Sequence, residues 1–368
     1  WFFLDDYAKK IGASVRKINQ IQFLRAMAAI FVAISHVWGI NGIIGKPFGF
    51  DYIGGFGVDI FFVISGFIMC YTTKDVFTNP RVEAISFMAK RVLRIYPIYL
   101  IVATPAVIYL MIQFHAAGGE ISFYDVIGNI LLLPTFTQDP DYHMYFYVAW
   151  SLCYEMMFYI MFSVLMILCK SKKTLIFYMI AIMFGMVSIV NLLGLQGEML
   201  GWVNLTYMIG DSLMINFALG CVIYIIFSKF KRYYVRPLVS ITIISLAVIC
   251  GVILAQHQYY RLFRFGIPAF IIVLVALYTR TECGNDSLLS RTGLYLGNAS
   301  YSIYLIHLYI VFISGWVYSI TPLSKDVTGA IMSIVAVSLG CVFYTVIEKP
   351  INKAIHAKFY RGTKGATI

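Results

Sequence analysis

Along this chain the apolar positions fall into long blocks rather than into the stripes of an amphipathic helix. Ten such blocks lie at 20–39, 51–73, 92–114, 146–169, 174–195, 205–228, 237–256, 262–280, 292–316 and 327–347, separated by short polar segments. A helix of about 20 residues crosses a hydrocarbon layer roughly 30 Å thick with every backbone donor and acceptor bonded inside the element. The pattern therefore predicts an all-α fold, a polytopic transmembrane bundle of about ten spans. The run from Phe123 to Phe136 is too short and too broken to cross, and predicts an interfacial or re-entrant helix. Residues 1–19 read as an N-terminal cytoplasmic segment, 20–347 as the membrane domain and 348–368 as a C-terminal cytoplasmic tail.

Composition agrees with this reading and excludes a water-soluble fold. Of the 368 residues, 61% are hydrophobic and 12% charged, about half the charged share of a soluble domain. The distribution of lysine and arginine sets the orientation. With an inner N-terminus, all but five of the 28 fall in inner segments: Lys46, Arg261, Arg264 and Lys325 are outside, and Arg25 lies within the first span. That bias requires an even number of spans and places both termini in the cytoplasm. The net charge of +11 then matches anionic inner-leaflet headgroups, and no nucleic-acid partner is expected. The seven cysteines form no CxxC pair and read as buried thiols.

Ionisable groups inside apolar helices carry the functional signal, because each costs a few kcal/mol unless it has a partner or a watery cavity. His36, Asp59, Glu155 and His307 stand out. Counting along the helices puts His36 and His307 about 22–24 Å from the inner face, and Asp59 and Glu155 about 12–14 Å from the outer one. All four fall at similar depth in the outer half of the layer, which predicts one shared cavity. The competing reading makes each a structural group bonded to a neighbouring helix. Arg25 and His36, 11 positions apart, share one helix face, with the arginine about 16 Å nearer the cytoplasm. Such a pair suits a long ligand with an anionic head and a reactive tail, as coenzyme A has. Arg91 and Arg94, near the inner end of the third span, are either a phosphate clamp or plain inner-face anchors.

The motifs resemble one family. IQFLRAMAAIFVAISHVWG, GGFGVDIFFVISGF (Gly54 to Phe67), KRVLRIYPIYL (Lys90 to Leu100), WSLCYEMMFYI (Trp150 to Ile160), NASYSIYLIH (Asn298 to His307) and IEKPINK (Ile347 to Lys353) occur in order over nearly the whole chain. Together they are similar to the acyltransferase type 3 family of membrane acyltransferases, in its stand-alone form. The resemblance implies an O-acyltransferase of a bacterial inner membrane. It would move an acyl group, acetyl above all, from cytosolic acyl-CoA to a hydroxyl of a cell-surface or exported glycan, such as an exopolysaccharide or O-antigen. It also implies that His36 is essential.

The chemistry fits these residues. Removing a proton from a sugar hydroxyl near neutral pH needs a base, and histidine suits the task. His36 either deprotonates the acceptor or first takes the acyl group itself. Glu155, or else Asp59, would orient the imidazole or balance its charge. Arg25, Arg91 and Arg94 are the donor-binding candidates; His307, Tyr304 and Trp150 are the substrate-binding ones, and no metal is expected. Arg261 and Arg264, in an outer loop, read as contacts for an anionic acceptor or lipid phosphate. The alternative class is a transporter of a glycan or small anionic substrate, which would show repeat symmetry and paired broken helices. A scaffolding protein would tolerate loss of the buried histidines and carboxylates.

Overall fold

Helices form at nearly every apolar block. The computed structural model describes residues 18–39, 43–136, 144–199, 203–230, 233–280 and 287–364. Helix α1 (Asn19–Ile34) runs into a π-helical turn (Ser35–Gly39), and α2 (Ile53–Thr72), α3 (Pro80–Ala116) and the short α4 (Phe123–Leu131) follow. A 3-10 turn (Tyr147–Ala149) leads into α5 (Trp150–Leu168), then α6 (Lys172–Leu192), α7 (Leu205–Gly210), α8 (Leu213–Lys229) and α9 (Pro237–Gln256). A second π-turn (Leu262–Gly266) opens α10 (Ile267–Tyr278), before α11 (Leu288–Ile320) and α12 (Lys325–Phe343). A third π-turn (Tyr344–Glu348) joins α12 to α13 (Lys349–Lys364).

Among the described residues, eight helical runs are long and apolar enough to cross a membrane, and two shorter apolar ones are Leu213–Lys229 and Leu262–Tyr278. These occupy the ten expected positions. Boundaries differ for identifiable reasons. Helix α3 starts well before the expected 92, because Asn79 caps it by accepting from Val82 N and Pro80 occupies its first turn. The block 205–228, expected as one helix, is broken at Asp211. There the Asp211 carboxylate accepts from Leu213 N at 3.1 Å and from the Tyr154 hydroxyl at 2.9 Å, so a side chain replaces helical backbone bonding. The segment expected as a tail from 348 continues as helix α13; residues 1–17, most of the expected N-terminal segment, lie outside the described residues. The run at 123–136 holds the short α4, started by a Ser122–Asp125 capping box. It is fastened to α3 where the Tyr99 hydroxyl donates to Asn129 O at 2.5 Å.

Helix α2 is central: 83% of its apolar window is buried, against 22% for the peripheral α9. It packs on α1 and α8, while α11 packs on α1 and α12, and α3 on α5. Lipid tails are as apolar as leucine, so helices here gain by close approach rather than by escape from water. The α2–α8 crossing shows this most clearly. A Cβ on Gly66 would sit 2.1 Å from Phe217 O, and one on Gly220 would sit 2.1 Å from Val63 O. Backbone meets backbone, and neither side has a flexible group that could yield.

Gly220→Ala is therefore expected to destabilise the bundle by about 1–3 kcal/mol, the usual penalty for overpacking. The thermal midpoint in detergent should fall. Gly185→Ala in α6, where a Cβ meets nothing within 4 Å, should leave it unchanged or slightly higher. Equal midpoints for the two variants would refute the crossing as the tight point.

Candidate active site

The first histidine sits in the π-turn that ends α1. Such turns leave backbone groups without regular helical partners, and side-chain hydrogen bonds tie this one to its surroundings in three directions. Ser35 Oγ donates to Asp51 O at 3.0 Å, and the Tyr318 hydroxyl donates to Val37 O at 2.9 Å. Trp38 Nε1 donates to Asp326 Oδ1 at 3.0 Å, tying the turn to the start of α12. Asp326 also accepts from Ile43 N and Ile44 N, which fastens the following loop over the turn. Held in this way, His36 places its Nδ1 2.9 Å from Nε2 of His307 on α11. The rings stack with centres 5.2 Å apart. His307 is fully buried, whereas His36 is half-buried and meets the edge of Tyr147, an exposed ring at the start of the α5 segment.

Two adjoining cavities lie between the lysine- and arginine-rich end of the bundle and Tyr304, which neighbours His307. The outer one, of about 320 Å³, is lined by Thr72, Thr73, Lys74, Asn79, Glu83, Ser86, Lys90, Arg91 and Arg94, with several apolar neighbours. The inner one, of about 100 Å³, shares Arg91 and Arg94 with it and adds Arg25, Glu155, Ser151, Phe61, Leu152, Tyr301 and Tyr304. Arg91 is sandwiched, its guanidinium 5.2 Å from the ring centres of both Phe87 and Tyr159. Glu155 accepts from the Tyr159 hydroxyl, one helical turn further along α5. The Tyr304 hydroxyl lies 2.7 Å from Ser151 Oγ and donates to Val148 O at 2.9 Å. Its ring centre is 5.9 Å from that of His307, so Tyr304 forms the partition between the arginine cavity and the histidine pair.

A separate polar cluster lies between α2, α8 and the second π-turn. Asp59 Oδ2 pairs with Arg261 at 2.6 Å, and its Oδ1 accepts from Asn216 Nδ2 at 2.5 Å. The carboxylate is fully buried. Asp211 also acts electrostatically on Arg261.

The structure thus corrects the expectation of one shared cavity. His36 and His307 meet each other, Glu155 faces the arginines, and Asp59 is consumed by Arg261 and Asn216. Height along a helix can be counted from sequence, but the rotation of one helix against another cannot. No hydrogen bond joins either carboxylate to His36 among the described residues; the group that meets its Nδ1 is His307. Arg25, Arg91, Arg94 and Tyr304 do line one cavity, whereas Trp150 lies outside both linings and is buried against Tyr154. Arg261, expected at an outer loop surface, turns inward to Asp59. Sequence reasoning missed Ser151, Asn216, Asp211 and Glu348 as members of these clusters. Glu348, in the third π-turn, accepts from Ser302 Oγ at 2.5 Å and acts electrostatically on Arg25 and Arg94. Its signal was available, as the only carboxylate in the IEKPINK segment.

Comparison with known proteins shows the family. A family model described as an acyltransferase domain matches residues 18–347. An O-acetyl transferase of Shigella phage Sf6 is 27% identical over 191 residues, which are 48% of this chain and 54% of that protein. The peptidoglycan O-acetyltransferase OatA of Listeria monocytogenes is 24% identical over 95% of this chain and 58% of its own length. The exopolysaccharide production protein ExoZ of Rhizobium meliloti is 24% identical over 83% of this chain and 92% of its own. The chain thus spans little more than half the length of the first two. No solved structure gives a significant match.

The Asp59–Arg261 contact lends itself to a double-mutant cycle. Asp59→Asn or Arg261→Gln alone should cost about 3–5 kcal/mol, because each leaves the other charge buried without its partner. The double variant should cost clearly less than the sum, read as thermal or denaturant midpoints in detergent. Additive losses would show that the pair is not a unit.

Proposed function

This chain belongs to the acyltransferase type 3 family of membrane acyltransferases, and from that premise we propose that it is an O-acetyltransferase. It takes its acyl group from acetyl-CoA in the cytosol and transfers it to a hydroxyl of a cell-surface or exported glycan, in the inner membrane of a bacterium. The observation that carries this reading is the pair of adjoining cavities, which share Arg91 and Arg94 and are lined in turn by Lys74 and Lys90, by Arg25, and by Tyr304 at the partition. Beyond the partition stands the His36–His307 contact.

The sequence of cations suits the donor. Its phosphates match the wide basic mouth, where arginine and lysine offer charge-assisted hydrogen bonds. Its extended arm matches the narrower channel walled by Phe61, Leu152 and Tyr301. The thioester is then delivered toward the histidines. The acceptor approaches from the opposite end, where His36 is half-buried and Tyr147 offers an exposed ring for a sugar face. The names of the relatives, which act on peptidoglycan or serve exopolysaccharide production, support a glycan acceptor.

The reaction balances with the groups present. His36 removes the proton of the acceptor hydroxyl as its oxygen bonds to the thioester carbonyl carbon. The carbon–sulfur bond breaks, and the proton passes from His36 to the departing thiolate. The products are the acetyl ester and free coenzyme A. The same nitrogen also serves the other order of events, taking the acetyl group first and yielding it to the hydroxyl. Glu155 stands in the arginine cavity, where it balances the positive charge that Arg25, Arg91 and Arg94 concentrate.

Thiol release from acetyl-CoA by the protein in nanodiscs, with glycan acceptors present, tests this reading. His36→Ala should lower kcat by about 10²–10⁴-fold, the usual worth of a positioned base, with the donor KM little changed. Arg25→Gln should raise the donor KM by about 10- to 100-fold, the worth of a charged hydrogen bond. Unchanged turnover in His36→Ala would remove the histidine from the chemistry. Movement of unmodified substrate without thiol release would favour a transporter.

A further inference from the structure

Resting on the acyltransfer reading above, we propose that His307 is a positioning residue that fixes the tautomer of His36, holding the proton on Nδ1 and leaving Nε2 bare for the reacting groups. The inference follows from which partners can only accept. His307 Nδ1 faces the carbonyl oxygen of Ile303, one turn earlier on its own helix, at 3.3 Å. A carbonyl donates nothing, so that nitrogen carries the proton. His307 is fully buried, and among the described residues no carboxylate, lysine or arginine forms a hydrogen bond or ion pair with either ring. Among the described residues, the titratable groups whose rings meet the pair are the Tyr147 and Tyr304 phenols. A buried imidazole without an anionic partner stays neutral, because the cation would lose its hydration without compensation.

With its one proton on Nδ1, His307 has a lone pair on Nε2. The 2.9 Å contact with His36 Nδ1 is then a hydrogen bond in which His36 donates. An imidazole with no anionic partner is mostly uncharged near neutral pH, so with its single proton on Nδ1 His36 has none on Nε2. That nitrogen makes no hydrogen bond among the described residues and is not among the buried atoms lacking a partner, so it retains access to the surrounding space. The chain of bonds runs from Ile303 through His307 to His36, and each step dictates the next. A carboxylate beside a catalytic histidine does the same work in hydrolytic triads. Here a second, neutral imidazole does it, without placing a negative charge in the hydrocarbon layer.

This arrangement also suits the proton's path. When His36 takes the hydroxyl proton on Nε2, the Nδ1 proton is already shared with His307, and the imidazolium keeps an acceptor until the thiolate collects the proton.

Nitrogen NMR of the full chain, labelled with 15N-histidine in nanodiscs, reads the tautomers directly, with His36 and His307 identified by replacing the other histidines. Both rings should carry the proton on Nδ1 with Nε2 bare, the reverse of the form that free histidine favours in water. A proton on Nε2 of His36, or two protons on either ring near neutral pH, would overturn the proposal. Kinetics supply a second arm. His307→Gln keeps an oxygen that can accept from His36 Nδ1, whereas His307→Phe keeps the ring and loses the acceptor. The Phe variant should lose at least about 100-fold in kcat, as wrong-tautomer histidines do, with donor KM unchanged, while the Gln variant should recover at least tenfold of that loss. Equal loss in both, or loss confined to KM, would make His307 a packing or binding residue instead. Absence of thiol release from the unaltered protein with every donor would defeat the acyltransfer reading, while the ring nitrogens would still decide the tautomer.

Discussion

A charged or strongly polar side chain carried into the hydrocarbon layer must find an opposite charge, a hydrogen-bond partner or water, and much of this bundle is arranged around that requirement. Asp59 and Arg261 meet it by pairing. Arg91 meets it between two aromatic rings, and Glu348 by accepting from Ser302 beside the positive field of Arg25 and Arg94. The histidines meet it with each other. Each of the three π-turns stands at one of these clusters: one holds His36, one follows Arg261, and one contains Glu348. Local departure from regular helix is concentrated where polar side chains must be aimed.

The same requirement separates two kinds of polar group. At the Asp59 cluster the charges satisfy one another, with Asn216 closing the remaining oxygen, and that arrangement holds α2, α8 and the entry to α10 in register. In the cavities beside Tyr304, by contrast, cations outnumber anions among the lining side chains. Tyr304 links the cavity to the histidine pair, since its hydroxyl is anchored on the α5 segment while its ring meets both the cavity and His307.

Much of this was legible in the chain itself. Apolar blocks report span number and length because a membrane helix must satisfy its own backbone, and counting residues gives height. Arg25, Arg91, Arg94 and Glu155 were readable as polar groups among apolar neighbours, and the structure gathers them around one cavity. Rotation was not readable: Asp59 and Glu155 lie at similar counted depth, yet they face different clusters because helix packing sets azimuth. The break at Asp211 was hidden because one carboxylate in an apolar block looks the same whether it faces a cavity or caps a helix. Arg261 reads from sequence as a surface residue because polar loops usually are, and only the fold shows its side chain reaching back to Asp59. The π-turn at His36 has no sequence signature, and with it went the chance to see that His307, rather than a carboxylate, would meet the imidazole.

In the proposed reaction the donor enters from the basic end and reaches the histidine pair through the arginine cavities. Sealed proteoliposomes with the protein inserted in one orientation test it most directly, because acetyl-CoA does not cross the bilayer. Labelled donor would be supplied first on the face carrying Lys74, Lys90 and Arg91, then on the opposite face, with acceptor available throughout. Transfer only with donor on the basic face is the expected result. Transfer only from the opposite face, or equally from both in vesicles shown to be sealed, would contradict the assigned path.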